Sequence, residues 1–125
     1  MIYPANCLPS LAFPAGECKH GPISLVEDGF PVICICPKGD TRRTLISNIM
    51  EMKTRGASII AVIEKEDKEI QNLADDYMEV PQGIPEVLSP IPFVVPLQLI
   101  AYYMAVERGL NPDTPRNLAK SVTVK

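Results

Sequence analysis

Residues 31–63 read PVICICPKGDTRRTLISNIMEMKTRGASIIAVI, and the fold follows from how that stretch changes its period. Pro31-Val32-Ile33-Cys34-Ile35-Cys36-Pro37 is an uninterrupted apolar run between turn-forming residues. Such a run predicts a strand buried on both faces, as in a parallel sheet covered by helices. Lys38-Gly39-Asp40-Thr41 is the turn after it. From Thr41 to Arg55 the apolar residues Leu45, Ile46, Ile49, Met50 and Met52 recur at helical steps. Asp40 or Thr41 can cap that helix at its start, and Gly56 can close it. Ser58 to Ile63 (SIIAVI) is a second strand.

Working outward, Glu64 to Asp67 forms a charged turn, Glu69 to Ala74 a short amphipathic helix, and Tyr77 to Val80 a third strand. Strand and helix alternating over short connections define a βαβαβ unit, so the fold class is α/β with a small parallel sheet flanked by helices. Beyond the proline-rich loop PQGIPEVLSP, Ser89 can cap a helix with Pro90 at its first position, running to about Arg108 and kinked near Pro96. Val94, Leu97, Ile100, Ala101 and Met104 lie on its apolar face. The helix is apolar nearly all round, which predicts burial on more than one side. Upstream, residues 1–15 carry prolines at 4, 9 and 14 and read as an irregular segment, while Gly21-Pro22 opens a short helix over Ile23 to Val26. A sheet of three strands leaves an edge exposed, to be covered either by the irregular amino end or by another chain, and self-association is expected.

The chain has 125 residues, 46% of them apolar and 22% charged, which fits one globular domain and excludes wholesale disorder. Twelve Lys and Arg against fifteen Asp and Glu give a net charge of −3, which argues against nucleic acid as a partner. The longest apolar stretch, Ile91 to Val106, is interrupted by Pro92, Pro96 and Gln98 and reads as a core helix rather than a membrane span. With no signal-peptide pattern at the amino end, a cytoplasmic location is expected. Cys7, Cys18, Cys34 and Cys36 form no CxxC pair, and with one histidine no metal site or cofactor is expected. Cys34 and Cys36 project from the same strand face as small buried thiols.

Three features bear on chemistry. His20, beside Gly21-Pro22, is a candidate acid/base because imidazole as a class exchanges protons near neutral pH. Lys120, among small and apolar neighbours near the end, is a candidate amine for carbonyl chemistry if desolvated. The turn Lys38 to Arg43 lies between a strand end and a helix start, where anions often bind, but it lacks a glycine fingerprint and reads better as an ordinary helix start.

GECKHGPISLVEDGFPVI (16–33) and LSPIPFVVPLQLIAYYMAVERGLNPDTPRNLAKSVTV (88–124) closely resemble the carboxyl-terminal end of the glucosamine-6-phosphate synthase family, the glutamine–fructose-6-phosphate amidotransferases. Gly16-Glu17-Cys18-Lys19-His20-Gly21-Pro22 and Pro115-Arg116-Asn117-Leu118-Ala119-Lys120-Ser121-Val122 carry most of that likeness. The resemblance implies a flavodoxin-like sugar isomerase (SIS) fold, here the later part of the second of two isomerase units. On this reading residues 16–125 are the SIS-like domain. The implied chemistry is that of fructose 6-phosphate becoming glucosamine 6-phosphate. His20 then matches the ring-opening histidine that reaches a neighbouring subunit's site. Lys120 matches the tail lysine that meets the open-chain sugar, and Ala119 is its backbone neighbour. The implied partners are a phosphosugar and further copies of the chain, as a homodimer or higher homo-oligomer.

The departures are equally specific. The family's proton-moving glutamate lies sixteen residues before the histidine, and that position here is Pro4. The phosphate-gripping Ser/Thr loops belong to the first isomerase unit, which has no counterpart in the sequence. Neither does the family's glutaminase domain, and Cys7 does not match its nucleophile. The expectation is a phosphosugar-binding SIS domain that is not a complete enzyme alone. The alternative is a non-catalytic SIS-type binding or self-association module.

Overall fold

The structure is a computed structural model and describes residues 10–113. Three strands, β1 (Pro31–Cys36), β2 (Ser58–Glu64) and β3 (Asp76–Val80), form one parallel sheet in the order β1-β2-β3. The helix α1 (Arg42–Thr54) joins the first pair and the single turn α2 (Lys68–Gln71) joins the second. A longer helix, α3 (Pro90–Glu107), follows a 3-10 turn at Glu86–Leu88. The βαβαβ reading is therefore met, with boundaries within a few residues of those expected. Two compact units divide the chain, one spanning Phe13–Pro96 and the other comprising Met1–Ala12 and Leu97–Lys125.

Local chemistry sets the elements of the first unit. The prolines at 31 and 37 bracket β1, and between them the branched residues Val32, Ile33 and Ile35 favour extended chain. Pro31 pairs with Ser58 and Cys36 with Ile63. Thr41 stands at the start of α1 without a side-chain cap, and Leu45 N–H donates to the Thr41 carbonyl at 3.0 Å. At the other end, Gly56 turns the chain with φ of 90°, a region that only glycine enters cheaply. The same residue lies so close to Asp28 that an added Cβ would meet the Asp28 Cα at 2.8 Å. Gly29 N–H donates to the Gly56 carbonyl at 2.7 Å, tying the entry of β1 to the exit of α1. Asp75 fixes the start of β3: its carboxylate accepts from Ile59 N–H at 2.8 Å and its own N–H donates to the Ile59 carbonyl at 2.9 Å.

One layer of core results. Cys34, Cys36, Ile59, Ala61 and Ile63 on the sheet pack with Ile49 and Met52 of α1 and Ile70 of α2. Met50, expected on the buried face of α1, is exposed instead. Both helices thus cover the same face, because strands added in sequence order carry every crossover back over one side. The expectation that β1 is buried on both faces is corrected accordingly. Ile33 is 42% exposed and Ile35 44%, on the face that α1 and α2 leave open. Only the central strand β2 has residues buried on both faces, with Val62 and Ile63 fully covered.

The expected burial of the last helix on more than one side is also not met. Of its residues, Phe93 and Ala105 are buried, while Ile91, Val94, Leu99, Tyr103, Met104 and Val106 are exposed. An eighteen-residue helix without a polar face carries more apolar surface than so small a fold covers. By length and composition, residues 86–107 are long and apolar enough to cross a membrane, the one such helix among the described residues. They hold Pro90, Pro92 and Pro96.

Cys34 and Cys36 are free thiols, both buried under α1. The Cys36 thiol donates to the Cys34 carbonyl at 3.5 Å. Burial raises the pKa of Cys34 to about 11 and that of Cys36 to about 12, so neither forms a thiolate at neutral pH. Burial also raises the Cys18 pKa, from a less enclosed position. Iodoacetamide labelling followed by mass spectrometry should therefore modify Cys18 first among these three. Cys34 and Cys36 should react only at the rate of unfolding, and their rapid labelling in native protein would contradict the packing.

Candidate functional site

His20 ends a 3-10 turn, Ala15–His20, and a second turn, Pro22–Leu25, follows after Gly21. Gly21 has φ of 156° and ψ of −57°, a pairing open to a residue without Cβ. Ser24 closes the reversal, its hydroxyl donating to the Gly21 carbonyl at 2.7 Å and its N–H to the same oxygen at 2.9 Å. Three anchors hold the double turn to the body of its unit. Cys18 packs against the core cluster, Ile23 is buried, and the Lys19 ammonium reaches Glu51 of α1 at 2.8 Å. That contact lowers the Glu51 pKa, chiefly through the hydrogen bond from Lys19. The His20 side chain is exposed. An imidazole on a fixed turn and facing outward suits a group that works on a site completed by other residues.

The other expected site residues, Ala119 and Lys120, lie outside the described residues, as does Pro4. The structure therefore places His20 alone among the residues singled out for sugar chemistry.

The turn weighed as an anion site behaves as an ordinary helix start. Arg42, the first residue of α1, has its guanidinium occupied by carboxylates. It donates to both oxygens of Asp67, at 2.8 and 2.6 Å, and to Glu69 at 3.1 and 3.0 Å. Hydrogen bonding to Asp67 raises the Arg42 pKa further above its usual value. Lys38 lies 3.7 Å from Glu64, which is itself only 5% exposed and also accepts from Gly83 N–H at 3.3 Å. An anion entering at the carboxyl ends of these strands would meet two buried carboxylates, so the region favours internal ion pairing over phosphate binding. Among the described residues no group of three or more His, Cys, Asp or Glu is arranged to hold a metal ion.

The Arg42 clamp joins residues twenty-five apart, and its signal in the sequence is weak. Asp67, read from the sequence as part of a charged turn, caps α2 in the structure, its carboxylate accepting from Ile70 N–H at 3.4 Å. Nothing local marks Arg42 as its second partner. Asn48 was equally silent: it is 3% exposed inside the α1 packing, and its amide has no hydrogen-bond partner among the described residues.

A parallel sheet with crossover helices on one side and an apolar helix after it define an α/β domain, and a histidine stands on its anchored turn. The SIS domain family model matches residues 7–108, and the chain belongs to that family. Its similarity is to one kind of enzyme in particular. It is 51% identical over 111 residues to the glutamine–fructose-6-phosphate aminotransferase (isomerizing) of Pyrococcus horikoshii, and 53% identical over 111 residues to that of Thermococcus kodakarensis. The Thermus thermophilus relative is 50% identical over 114 residues. These alignments cover 89%, 89% and 91% of this chain but only 18%, 18% and 19% of the relatives, so the chain spans about a fifth of their length. Among solved structures, the C-terminal domain of glucosamine-fructose-6-phosphate aminotransferase from Francisella tularensis superposes with a TM-score of 0.80 at 32% identity. That match covers 89% of this chain and 31% of the other. The resemblance expected from the sequence is thus met by both sequence and fold.

The Arg42 clamp has a measurable consequence. Removing a partner of a buried ion pair strands the other charge, at a cost of about 3 kcal/mol. Asp67 is 4% exposed, so Arg42→Ala should lower the free energy of unfolding in urea by about that amount. Arg42→Lys should cost less but not nothing, because an ammonium lacks the two-pronged geometry. A loss below 0.5 kcal/mol for Arg42→Ala would mean that the clamp contributes little.

Proposed function

We propose that this chain is a phosphosugar-recognition domain of amino-sugar formation, which takes fructose 6-phosphate or glucosamine 6-phosphate and acts within a homodimer or higher homo-oligomer. Half-identity to aminotransferases of this type over nine-tenths of the chain is the observation that carries the reading. Residues 16–125 form the recognition domain on this view, and residues 1–15 precede it as an irregular segment.

His20 is the proposed proton carrier for opening the sugar ring, supplied to the site of a neighbouring copy. Lys120 is the proposed amine that meets the open-chain carbonyl, with the Ala119 backbone beside it. A base to move a proton between the first two carbons of the sugar has no candidate at the matching position, which is Pro4. Positioning and proton transfer are the main sources of rate in such chemistry, so binding without turnover is the expected behaviour of this chain by itself. The cytoplasm is the proposed location, in keeping with a phosphorylated substrate.

The test is thermal denaturation of the purified chain with fructose 6-phosphate, alongside an assay for glucose 6-phosphate. A ligand at a hundred times its Kd stabilises the folded state by about 2.7 kcal/mol. The expected result is a sugar-phosphate-dependent rise in melting temperature, much reduced in Lys120→Ala, with no product formed. Absence of any stabilisation by sugar phosphates would refute recognition. Turnover abolished by Lys120→Ala would instead establish an active isomerase.

A further inference from the structure

We infer that Asn48 is a positioning residue for His20, whose enclosed side-chain amide bonds the carbonyl end of the Ala15–His20 turn when a phosphosugar engages the imidazole. The inference rests on the sugar recognition proposed above and adds a residue to it.

The amide is the anomaly. Asn48 is 3% exposed, and neither its Oδ1 nor its Nδ2 has a hydrogen-bond partner among the described residues. Both atoms are enclosed, with no room beside them for a water molecule. Polypeptide lying beyond this chain could not reach them without displacing what already covers them. An amide stripped of water and left unbonded costs the folded state more than a hydrocarbon of the same shape. A leucine, close to asparagine in size, would fill the place without that cost.

Position says what the amide can serve. Residues three and four apart are neighbours on a helix, so Glu51 and Met52 flank Asn48 on α1. Glu51 holds the Lys19 ammonium at 2.8 Å, and Met52 belongs to the core cluster against which Cys18 packs. Asn48 therefore stands on the flank of α1 that meets the Ala15–His20 turn. Another flank of the helix is engaged elsewhere, where Lys53 bonds the Leu73 carbonyl and Asp75.

The turn has acceptors to offer. A 3-10 turn leaves carbonyls without partners at its last residues. Here these include Lys19 and His20, and among the described residues no donor bonds either carbonyl. Donor and acceptors thus lie unpaired on adjoining elements. A ligand shifts a structure only by what is gained in the shifted arrangement. Seating His20 on the sugar settles the carbonyl end of its turn onto Asn48 Nδ2, and the bond formed there adds to the affinity. The Lys19–Glu51 pair, partly exposed at both ends, yields to so small a movement.

The test joins binding to direct observation of the amide. In a proton–nitrogen correlation spectrum of the purified chain, assigned by triple resonance, the Asn48 side-chain amide gives one pair of signals. Fructose 6-phosphate should shift that pair downfield as the bond forms. Asn48→Leu should melt at the same temperature or higher, yet bind fructose 6-phosphate about tenfold more weakly. In a His20→Ala background the same substitution should change affinity less than about twofold, because the two residues act as one unit. A purely structural role would weaken binding equally in both backgrounds and overturns the inference. So does an Asn48→Leu variant that melts lower with its affinity intact, since the amide is then already bonded. A wild-type chain that the sugar phosphate does not stabilise overturns recognition and this inference together. A chain that is stabilised while its Asn48 signals stay in place overturns this inference alone, and that outcome needs no variant to fold.

Discussion

Parallel hydrogen bonding among the three strands governs most of what is seen here. A parallel pair needs a return path across the sheet, and the return paths of strands laid down in order fall on one side. α1 and α2 therefore bury against Cys34, Cys36, Ile59, Ala61 and Ile63, and the core is a single layer. The other face leaves Ile33 and Ile35 partly exposed, and among the described residues no strand pairs with the outer edge of β1. The unsatisfied surfaces of the chain are consequences of its topology rather than defects of local packing.

Much of this was legible in the sequence, and the parts that were not share a physical cause. The change of period from PVICIC to the helical spacing of Leu45, Ile49 and Met52, and back to SIIAVI, located β1, α1 and β2 within one or two residues. Those elements are set by local propensity and one-dimensional pattern. Burial depends on what lies across a layer, which periodicity does not report. An apolar run such as β1 reads as doubly buried whether or not a second helix layer exists. The all-apolar α3 reads as a core helix for the same reason. The contact of Arg42 with Asp67 was invisible because each residue had a satisfactory local explanation, one at an ordinary helix start and the other in a charged turn.

The candidate site divides along similar lines. The motif around His20 was readable as a resemblance, yet its geometry was not, since a 3-10 turn has no strong signature in composition. What the structure adds is the anchoring. Cys18 and Ile23 are held by the hydrophobic effect, and Lys19 by an ion pair with Glu51. A turn so held has little backbone freedom to lose when a second surface arrives, which favours binding.

The close approach of Gly56 to Asp28 has a bearing on how tolerance to substitution would look along this chain. Backbone, not a flexible side chain, fills the space a Cβ would need, and the dihedral angle is unfavourable to any other residue. A saturation survey would find a surface turn, distant in sequence from every residue assigned to chemistry, that refuses nearly every replacement. Such a position is easily mistaken for a hidden active-site residue. Its intolerance would report architecture, and only a measurement separating abundance of folded protein from activity per folded molecule would reveal the difference.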